Sequence, residues 1–225
     1  YKFDDIKEKN TMKNEFFEKL SELKIIPVIA IEKEDFAIPL ADSFLRGGLP
    51  IIEITFRTKV AASVIRKIKN ERPEIIIGAG TLLTKENLYS AIESGASFGI
   101  APGLNPDIVK IAFEKNFPFV PGVMTPSDIE KALSLNCKLL KFFPAGDAGG
   151  YKMLKSLSAP YGHTGVRFIP TGGVNPENIL QYFAVETVIA VGGTWLAKKE
   201  DIIAGNWAVI EKNCIEVREV LKKQK

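Results

Sequence analysis

The sequence predicts an α/β protein that closes into a single (β/α)8 TIM barrel with an extra helix at its N-terminus. Two observations carry this prediction: eight short apolar runs alternate with amphipathic stretches, and capping residues or glycines stand at their boundaries. Eight such units in 225 residues favour a closed parallel barrel. An open doubly wound sheet is the alternative, but the first run lacks the Gly-x-Gly-x-x-Gly motif that a dinucleotide site requires.

The elements follow in order along the chain. A first helix is predicted over about 11–24, where Phe16, Leu20 and Leu23 form one apolar stripe, and a last helix over about 205–223. The strands of the barrel, which covers about 25–197, are predicted at 25–31, 51–55, 75–80, 98–101, 117–120, 138–143, 166–170 and 188–191.

The helices between these strands have recognisable ends. Thr84, Asn175 and the segment Pro126-Ser127-Asp128 are typical of helix starts, and Gly47-Gly48 and Gly95 are typical of residues just past a helix end. No linker rich in Pro, Gly or Ser interrupts the series, so residues 1–225 are expected to form one domain.

Composition narrows the class of protein. The net charge is +3, and the lysines are spread over many segments, which argues against a nucleic-acid partner. No apolar run is long enough to span a bilayer, and no secretory signal is apparent, so we expect no membrane association. Cys137 and Cys214 lie far apart and suggest reduced thiols of a cytoplasmic protein. The single histidine, His163, is expected in a surface loop, and no ligand spacing for a metal is present.

One lysine stands in an apolar strand. Lys141 lies within Leu139-Leu140-Lys141-Phe142-Phe143-Pro144. An ammonium group is costly to bury, and lysines in such places commonly act as neutral, nucleophilic amines, so Lys141 indicates chemistry on a carbonyl carbon. The alternative is a lysine whose stem lies on apolar surface while its head reaches water.

Polar residues also mark the ends of the second and third strands. Alternation puts Glu53, Thr55 and Arg57 on one face, which we expect to be the barrel interior. A carboxylate and a guanidinium there could serve as proton acceptor and carboxylate clamp, or form a structural ion pair. Thr81 offers a hydroxyl at the end of the third strand, after small residues that let a ligand approach.

Paired glycines follow the last two strands, in Thr171-Gly172-Gly173 and Gly192-Gly193-Thr194. Phosphate-binding barrels expose backbone N–H groups at these positions, although each pair could also be a plain turn. Together with Lys141 and Glu53, these residues suggest a ketone attacked by an amine, with a carboxylate removing the proton whose loss breaks a C–C bond. Arg57, with Thr81 or Thr171, would hold a 2-keto acid, and no cofactor is needed.

Six segments carry a resemblance to a known family. The chain from about Lys24 to Ala197 resembles the 2-keto-3-deoxy-6-phosphogluconate (KDPG) / 4-hydroxy-2-oxoglutarate (KHG) aldolase family. The segments are Glu53-Ile54-Thr55-Phe56-Arg57-Thr58, Gly78-Ala79-Gly80-Thr81, Pro121-Gly122-Val123-Met124-Thr125-Pro126, Lys141-Phe142-Phe143-Pro144-Ala145, Pro170-Thr171-Gly172-Gly173 and Gly192-Gly193-Thr194-Trp195.

The resemblance implies a (β/α)8 barrel that assembles as a homotrimer and uses no metal. It implies that Lys141 forms the Schiff base and that Glu53 is the general acid/base. It further implies that Arg57, Thr81 and Thr171 bind the keto-acid carboxylate. The phosphate-binding residues that it implies are Gly172, Gly173, Gly193 and Thr194.

Two positions depart from the family's commonest pattern: Thr194 stands where serine is usual, and Ala101 where serine often precedes Pro-Gly. These departures leave the preference for phosphorylated substrates open. The reaction expected is cleavage of KDPG to pyruvate and glyceraldehyde 3-phosphate, and of KHG to pyruvate and glyoxylate. The alternatives are an aldolase for the epimeric 6-phosphogalactonate, a phosphosugar isomerase or synthase without Schiff-base chemistry, and a non-catalytic barrel that binds a phosphorylated acid.

Overall fold

The computed structural model describes residues 16–222, in which parallel strands and helices alternate. The strands are β1 (Ile25–Ile29), β2 (Ile51–Thr55), β3 (Ile76–Gly80), β4 (Phe98–Ile100), β5 (Phe119–Val120), β6 (Gly122–Val123), β7 (Leu139–Phe142), β8 (Arg167–Pro170) and β9 (Val191–Gly193). The helices are α1 (which includes residues 16–23), α2 (Ala37–Arg46), α3 (Ala61–Glu71), α4 (Lys85–Glu93), α5 (Pro106–Glu114), α6 (Pro126–Ser134), α7 (Gly150–Ser158), α8 (Ile179–Phe183), α9 (Lys199–Ala204) and α10 (Trp207–Lys222). Within these residues, no helix is long and apolar enough to cross a membrane.

The strands form two parallel sheets, with the orders β5-β4-β3-β2-β1-β9 and β6-β7-β8. Every residue of β1, β2 and β7 is buried, as is typical of parallel strands covered on both faces. Each helix between strands buries an apolar stripe; in α3 the stripe is Ala61, Val64, Ile65 and Ile68. This packing produces an α/β fold whose core lies between sheet and helices and inside the curve of the sheet.

The two sheets approach each other at both ends of the strand order. Single bridges join Phe168 to Val188 and Thr171 to Gly192, so β8 runs beside the chain that forms β9. On the other side, the backbone N–H of Lys141 donates to the carbonyl of Pro121, between β5 and β6. The parallel strands therefore curl into a half-barrel with their carboxyl ends at one edge.

Several predicted helix ends are confirmed. Thr84 caps α4 by accepting a hydrogen bond from the N–H of Asn87, and Thr125 and Asp128 form a capping box at the start of α6. Gly48 and Gly95 follow α2 and α4 with φ of 69° and 87°, a conformation that glycine adopts without strain.

Other predicted bounds need correction. The fifth strand, predicted at 117–120, is confined to Phe119–Val120 (β5). A further strand that was not predicted, β6, follows at Gly122–Val123, and Pro121 between the two has no N–H to donate to a ladder. The last strand lies at Val191–Gly193 rather than 188–191, because Val188 makes only a single bridge. The last helix begins at Trp207, two residues after the predicted start. Asn175 accepts hydrogen bonds from the N–H groups of Glu177 and Asn178, but α8 begins only at Ile179.

The predicted first helix is partly outside the described residues. Of the predicted first helix, positions 11–15 lie outside the described residues, and residues 16–23 are helical. Position 223, the predicted end of the last helix, also lies outside the described residues. Lys24 follows with a φ of 60°, which ends the helix and leads into β1. Leu20 and Leu23 pack on the core from this helix, as their spacing predicts.

Candidate active site

The site forms where the carboxyl ends of β2, β3, β7 and β8 meet. On β2 the side chains of Glu53 and Thr55 are 2% and 1% exposed, while Arg57, just past the strand, is exposed. The hydroxyl of Thr55 donates to the carbonyl of Ile29 (3.0 Å) and accepts from the Nε of Arg57 (3.2 Å). The predicted polar face of this strand therefore exists, and the chain links Arg57 to it through Thr55.

Lys141 projects from β7 toward β2. The residue is 6% exposed, and its backbone is held on both sides, paired with Gly122 of β6 and Ile169 of β8. Its Nζ lies 4.0 Å from the Oε1 of Glu53 and 5.1 Å from the centre of the Phe143 ring. The lysine head therefore lies inside the curved sheet instead of reaching water along an apolar surface.

Glu53 has the electrostatics of a buried base. Its Oε1 is buried and accepts no hydrogen bond from any described residue. Burial raises the pKa of Glu53 above its ordinary value, and the charges of Lys141 and Arg57 oppose that shift. A carboxylate with a raised pKa and a free oxygen is a stronger proton acceptor than an exposed one.

Glycine at position 80 makes room for this carboxylate. A Cβ on Gly80, the last residue of β3, would collide with the Oε1 of Glu53. Thr81 follows at once, partly buried, with a φ of 59° that is uncommon for a β-branched residue. Strained backbone of this kind is found most often at functional sites.

Thr171 stands directly after β8. It is 5% exposed, its hydroxyl donates to the carbonyl of Ile169 (3.4 Å), and it bridges to Gly192 of β9. A Cβ on Gly192 would collide with the Thr171 hydroxyl, so the two strand ends can approach only because residue 192 is glycine.

The two glycine turns lie side by side because β8 and β9 are neighbours. Gly172 and Gly173 have φ of 87° and 77°, and the carbonyl of Gly172 accepts from the N–H of Gly146 (2.7 Å). Asn178 closes the turn by donating from Nδ2 to the carbonyl of Gly173 (2.8 Å). Gly193 ends β9 and is buried, and Thr194 follows it exposed at the rim. The left-handed backbone of Gly172 and Gly173 is open mainly to glycine, and a turn of this kind can present backbone N–H groups to a phosphate.

Other candidates lie away from these residues. His163 is in the short 3-10 helix Gly162–Thr164 that precedes β8, at the opposite end of the strand, so the prediction of a loop position holds. Cys137 and Cys214 are not joined in a disulfide, and burial raises the pKa of the Cys214 thiol to about 12. A cavity of about 600 Å³ also lies at the opposite end of the strands, bordered by Phe117, Phe119 and Leu139. Among residues 16–222, no group of three His, Cys, Asp or Glu side chains is placed to bind a metal ion.

Sequence reasoning missed one neighbour of the lysine. The ring of Phe143 lies beside both Lys141 and the Gly172 turn, since a Cβ on Gly172 would be 3.3 Å from its Cε2. The signal was available, because residues 141 and 143 share a face by alternation. The Phe143 ring therefore borders both the lysine and the first glycine turn.

Comparison with known proteins agrees with the motifs. A family model described as "Aldolase: KDPG and KHG aldolase" matches residues 17–213. A Haemophilus influenzae protein named 2-dehydro-3-deoxy-phosphogluconate aldolase is 45% identical, over 92% of this chain and 97% of its own length. An Escherichia coli protein named KHG/KDPG aldolase is 39% identical, over 88% of this chain and 92% of its own.

A solved structure shows the same fold. The KDPG aldolase of Legionella pneumophila, crystallised with pyruvate captured as a covalent carbinolamine intermediate, has a TM-score of 0.83 and 36% identity, over 86% of this chain and 93% of its own. The family model covers far more than half of the sequence, and the relatives match nearly end to end. The chain belongs to the KDPG and KHG aldolase family.

Proposed function

We propose that this protein is a Schiff-base aldolase that cleaves KDPG to pyruvate and glyceraldehyde 3-phosphate, and also cleaves KHG to pyruvate and glyoxylate. The observation that carries the proposal is the buried pair Lys141 and Glu53, with Nζ and Oε1 4.0 Å apart. An amine and a carboxylate at this separation can act on adjacent carbons of one substrate. Relatives of the chain are named as aldolases for these substrates, and a related structure holds pyruvate covalently.

The first half of the reaction belongs to Lys141. In its neutral form, Nζ attacks the C2 carbonyl of the keto acid and forms a carbinolamine, which loses water to give an iminium. The positive nitrogen withdraws electrons from the C3–C4 bond. The ring of Phe143, 5.1 Å from Nζ, is placed to stabilise that positive charge through its electron-rich face.

The second half belongs to Glu53. Directly or through a water molecule, its carboxylate takes the proton of the C4 hydroxyl; the C3–C4 bond breaks, the aldehyde leaves, and the electron pair forms an enamine on C3. The protonated Glu53 then returns a proton to C3, and water hydrolyses the resulting iminium to pyruvate and free Lys141. Atoms and charges balance without another reactant.

Binding groups surround this pair at both ends. Arg57, Thr81 and Thr171 are proposed to hold the carboxylate next to C2. The turns containing Gly172, Gly173, Gly193 and Thr194 are proposed to hold the distal phosphate through backbone N–H groups and the Thr194 hydroxyl. The strain in Thr81 and the positive φ of both glycines in the first turn support these assignments.

Borohydride trapping tests the proposal. The protein is incubated with pyruvate and sodium borohydride, digested and analysed by mass spectrometry. We expect a stable, reduced pyruvate adduct on Lys141 and on no other lysine. Absence of an adduct would contradict the mechanism and favour a phosphosugar isomerase or synthase in which Lys141 interacts only electrostatically. Rates on KDPG, on its epimer 2-keto-3-deoxy-6-phosphogalactonate and on KHG, measured side by side, then define the substrate preference.

We extend the proposal to the architecture and assembly. The two sheets are proposed to join into one closed (β/α)8 barrel, supported by the bridges between β8 and β9 and by the hydrogen bond from Lys141 to Pro121. One domain, a homotrimer and a cytoplasmic enzyme without a metal are proposed from the family. Sedimentation equilibrium tests the trimer, and unchanged activity after dialysis against EDTA tests metal independence.

A further inference from the structure

We propose that Thr55 is a positioning residue that sets the orientation of Arg57 for the substrate carboxylate. The inference rests on the proposed function, because it requires Arg57 to hold the carboxylate of a keto acid. It goes beyond that function by adding a residue that does not itself contact the substrate. The observation is a short chain of two hydrogen bonds, from the carbonyl of Ile29 through the Thr55 hydroxyl to the Nε of Arg57.

The polarity of this chain is determined by Ile29. A threonine hydroxyl has one hydrogen and two lone pairs. Its hydrogen is directed at the Ile29 carbonyl at 3.0 Å, so only a lone pair can face Arg57, whose Nε donates across 3.2 Å. Each bond polarises the other, which strengthens both. Toward the guanidinium, the Thr55 hydroxyl can therefore act only as a hydrogen-bond acceptor.

Thr55 and Ile29 lie on buried strands, whereas Arg57 is exposed. Thr55 is 1% exposed and is the last residue of β2, and Ile29 is the last residue of β1, which pairs with Ile54. Arg57 is exposed and lies beyond the strand, where a long side chain samples many rotamers. The hydrogen bond to Nε restricts the Arg57 side chain before substrate binds. Less conformational entropy is then lost on binding, so the site is preorganised.

The bond also decides which edge of Arg57 faces the substrate. Because Nε donates to Thr55, the two Nη groups remain for a ligand, and within the described residues neither makes another hydrogen bond. Two parallel Nη donors match the two oxygens of a carboxylate. The reading that Thr55 merely packs between β1 and β2 predicts no effect on substrate affinity.

The test compares Thr55→Val, which keeps the shape and removes the hydroxyl, with Thr55→Ser, which keeps the hydroxyl. Two quantities are measured: the pyruvate concentration that gives half-maximal borohydride trapping, and the KM and kcat for KDPG. For Thr55→Val we expect both the half-maximal concentration and KM to rise about tenfold, and kcat to change less than about threefold, because a bond to a charged group is lost. Thr55→Ser should stay within about twofold of the natural protein.

Repeating the Thr55→Val substitution in an Arg57→Ala variant distinguishes a positioning role of Thr55 from a packing role. In Arg57→Ala, the change Thr55→Val should raise neither value further, because the residue it acts through is gone. An unchanged KM in folded Thr55→Val, or an equal increase in the Arg57→Ala background, would overturn the inference. If Thr55→Val does not fold, Thr55→Ala removes the same hydroxyl without adding a methyl group and provides the same comparison. At saturating pyruvate every variant should still give the Lys141 adduct; its absence in the natural protein would contradict the proposed function instead.

Discussion

The Nζ of Lys141 lies 4.0 Å from the Oε1 of Glu53, although the two residues belong to different sheets. Lys141 is on β7 and Glu53 on β2, and both side chains are almost fully buried. Only the inward curvature of the parallel strands brings them together. This pairing turns two separate strand residues into one site with a nucleophile and a base.

Lys141→Arg is expected to abolish turnover while keeping the positive charge. A guanidinium is not a nucleophile at neutral pH, so kcat should fall at least about a thousandfold and no borohydride adduct should form. Lys138→Arg is the matched control, since Lys138 is exposed and just precedes the same strand. Rates that survive within about tenfold in Lys141→Arg would rule out Schiff-base chemistry at this residue.

The raised pKa of Glu53 has a consequence for stability. Its ordinary pKa is 4.5, and burial raises the value in the folded protein. The folded state therefore holds this proton more tightly than the unfolded state, so the contribution to stability is complete below 4.5 and is lost as pH rises through the folded pKa.

Two measurements check this prediction. Carbon NMR of labelled glutamate side chains should show one carboxyl that titrates above pH 4.5 and is missing in Glu53→Gln. Urea unfolding should show the natural protein losing stability relative to Glu53→Gln over the same range of pH. A Glu53 signal that titrates at or below 4.5 would contradict the prediction.

Gly80→Ala should displace the general base. The added Cβ would collide with the Glu53 carboxylate, which must rotate away from Lys141. We expect kcat to fall about 10² to 10⁴ fold, as when a general base is lost, and the stability to fall by about 1–3 kcal/mol from overpacking.

Gly103→Ala is the control for that variant, because a Cβ there meets no atom within 4 Å. Steady-state rates and urea unfolding of the two variants separate a local steric effect from a general effect of adding a methyl group. Equal activities of the two would show that Glu53 does not need its present position.

Gly173→Ala should weaken binding of phosphorylated substrate selectively. Residue 173 has a φ of 77°, and a Cβ there would lie 2.9 Å from the Cα of Gly146, so the turn must shift. The KM for KDPG should rise about tenfold or more, while the KM for unphosphorylated KHG changes little.

Gly165→Ala provides the comparison for backbone strain. Its φ is 79°, but it precedes β8 and lies at the opposite end of the strand from the site. Both variants should lose about 1 kcal/mol of stability from the left-handed conformation. Only Gly173→Ala should change the ratio of the two KM values; equal ratios would argue against a phosphate site in this turn.

Much of the fold was predictable because its signals are local. The apolar runs that became β1, β2, β3 and β7 are within two residues of their predicted bounds. Thr84 and the segment from Thr125 to Asp128 carry caps that depend on neighbouring residues alone. The pairing of β6 with β7 and the later start of β9 depend on which strands lie next to each other, and no local pattern contains this information.

The site divides in the same way. The sequence by itself determined which residue types stand at strand ends: a lysine in an apolar strand, a carboxylate and arginine on one face, and paired glycines after the last two strands. It also determined membership of the aldolase family through those motifs.

Tertiary structure alone decided which of these residues meet. The 4.0 Å separation of Lys141 and Glu53, the space that Gly80 leaves, and the link from Ile29 through Thr55 to Arg57 all join residues far apart in the chain. The physical reason is the curl of the sheet: alternation along a strand states which side chains share a face, but only strand pairing and twist determine which strands face each other across the interior.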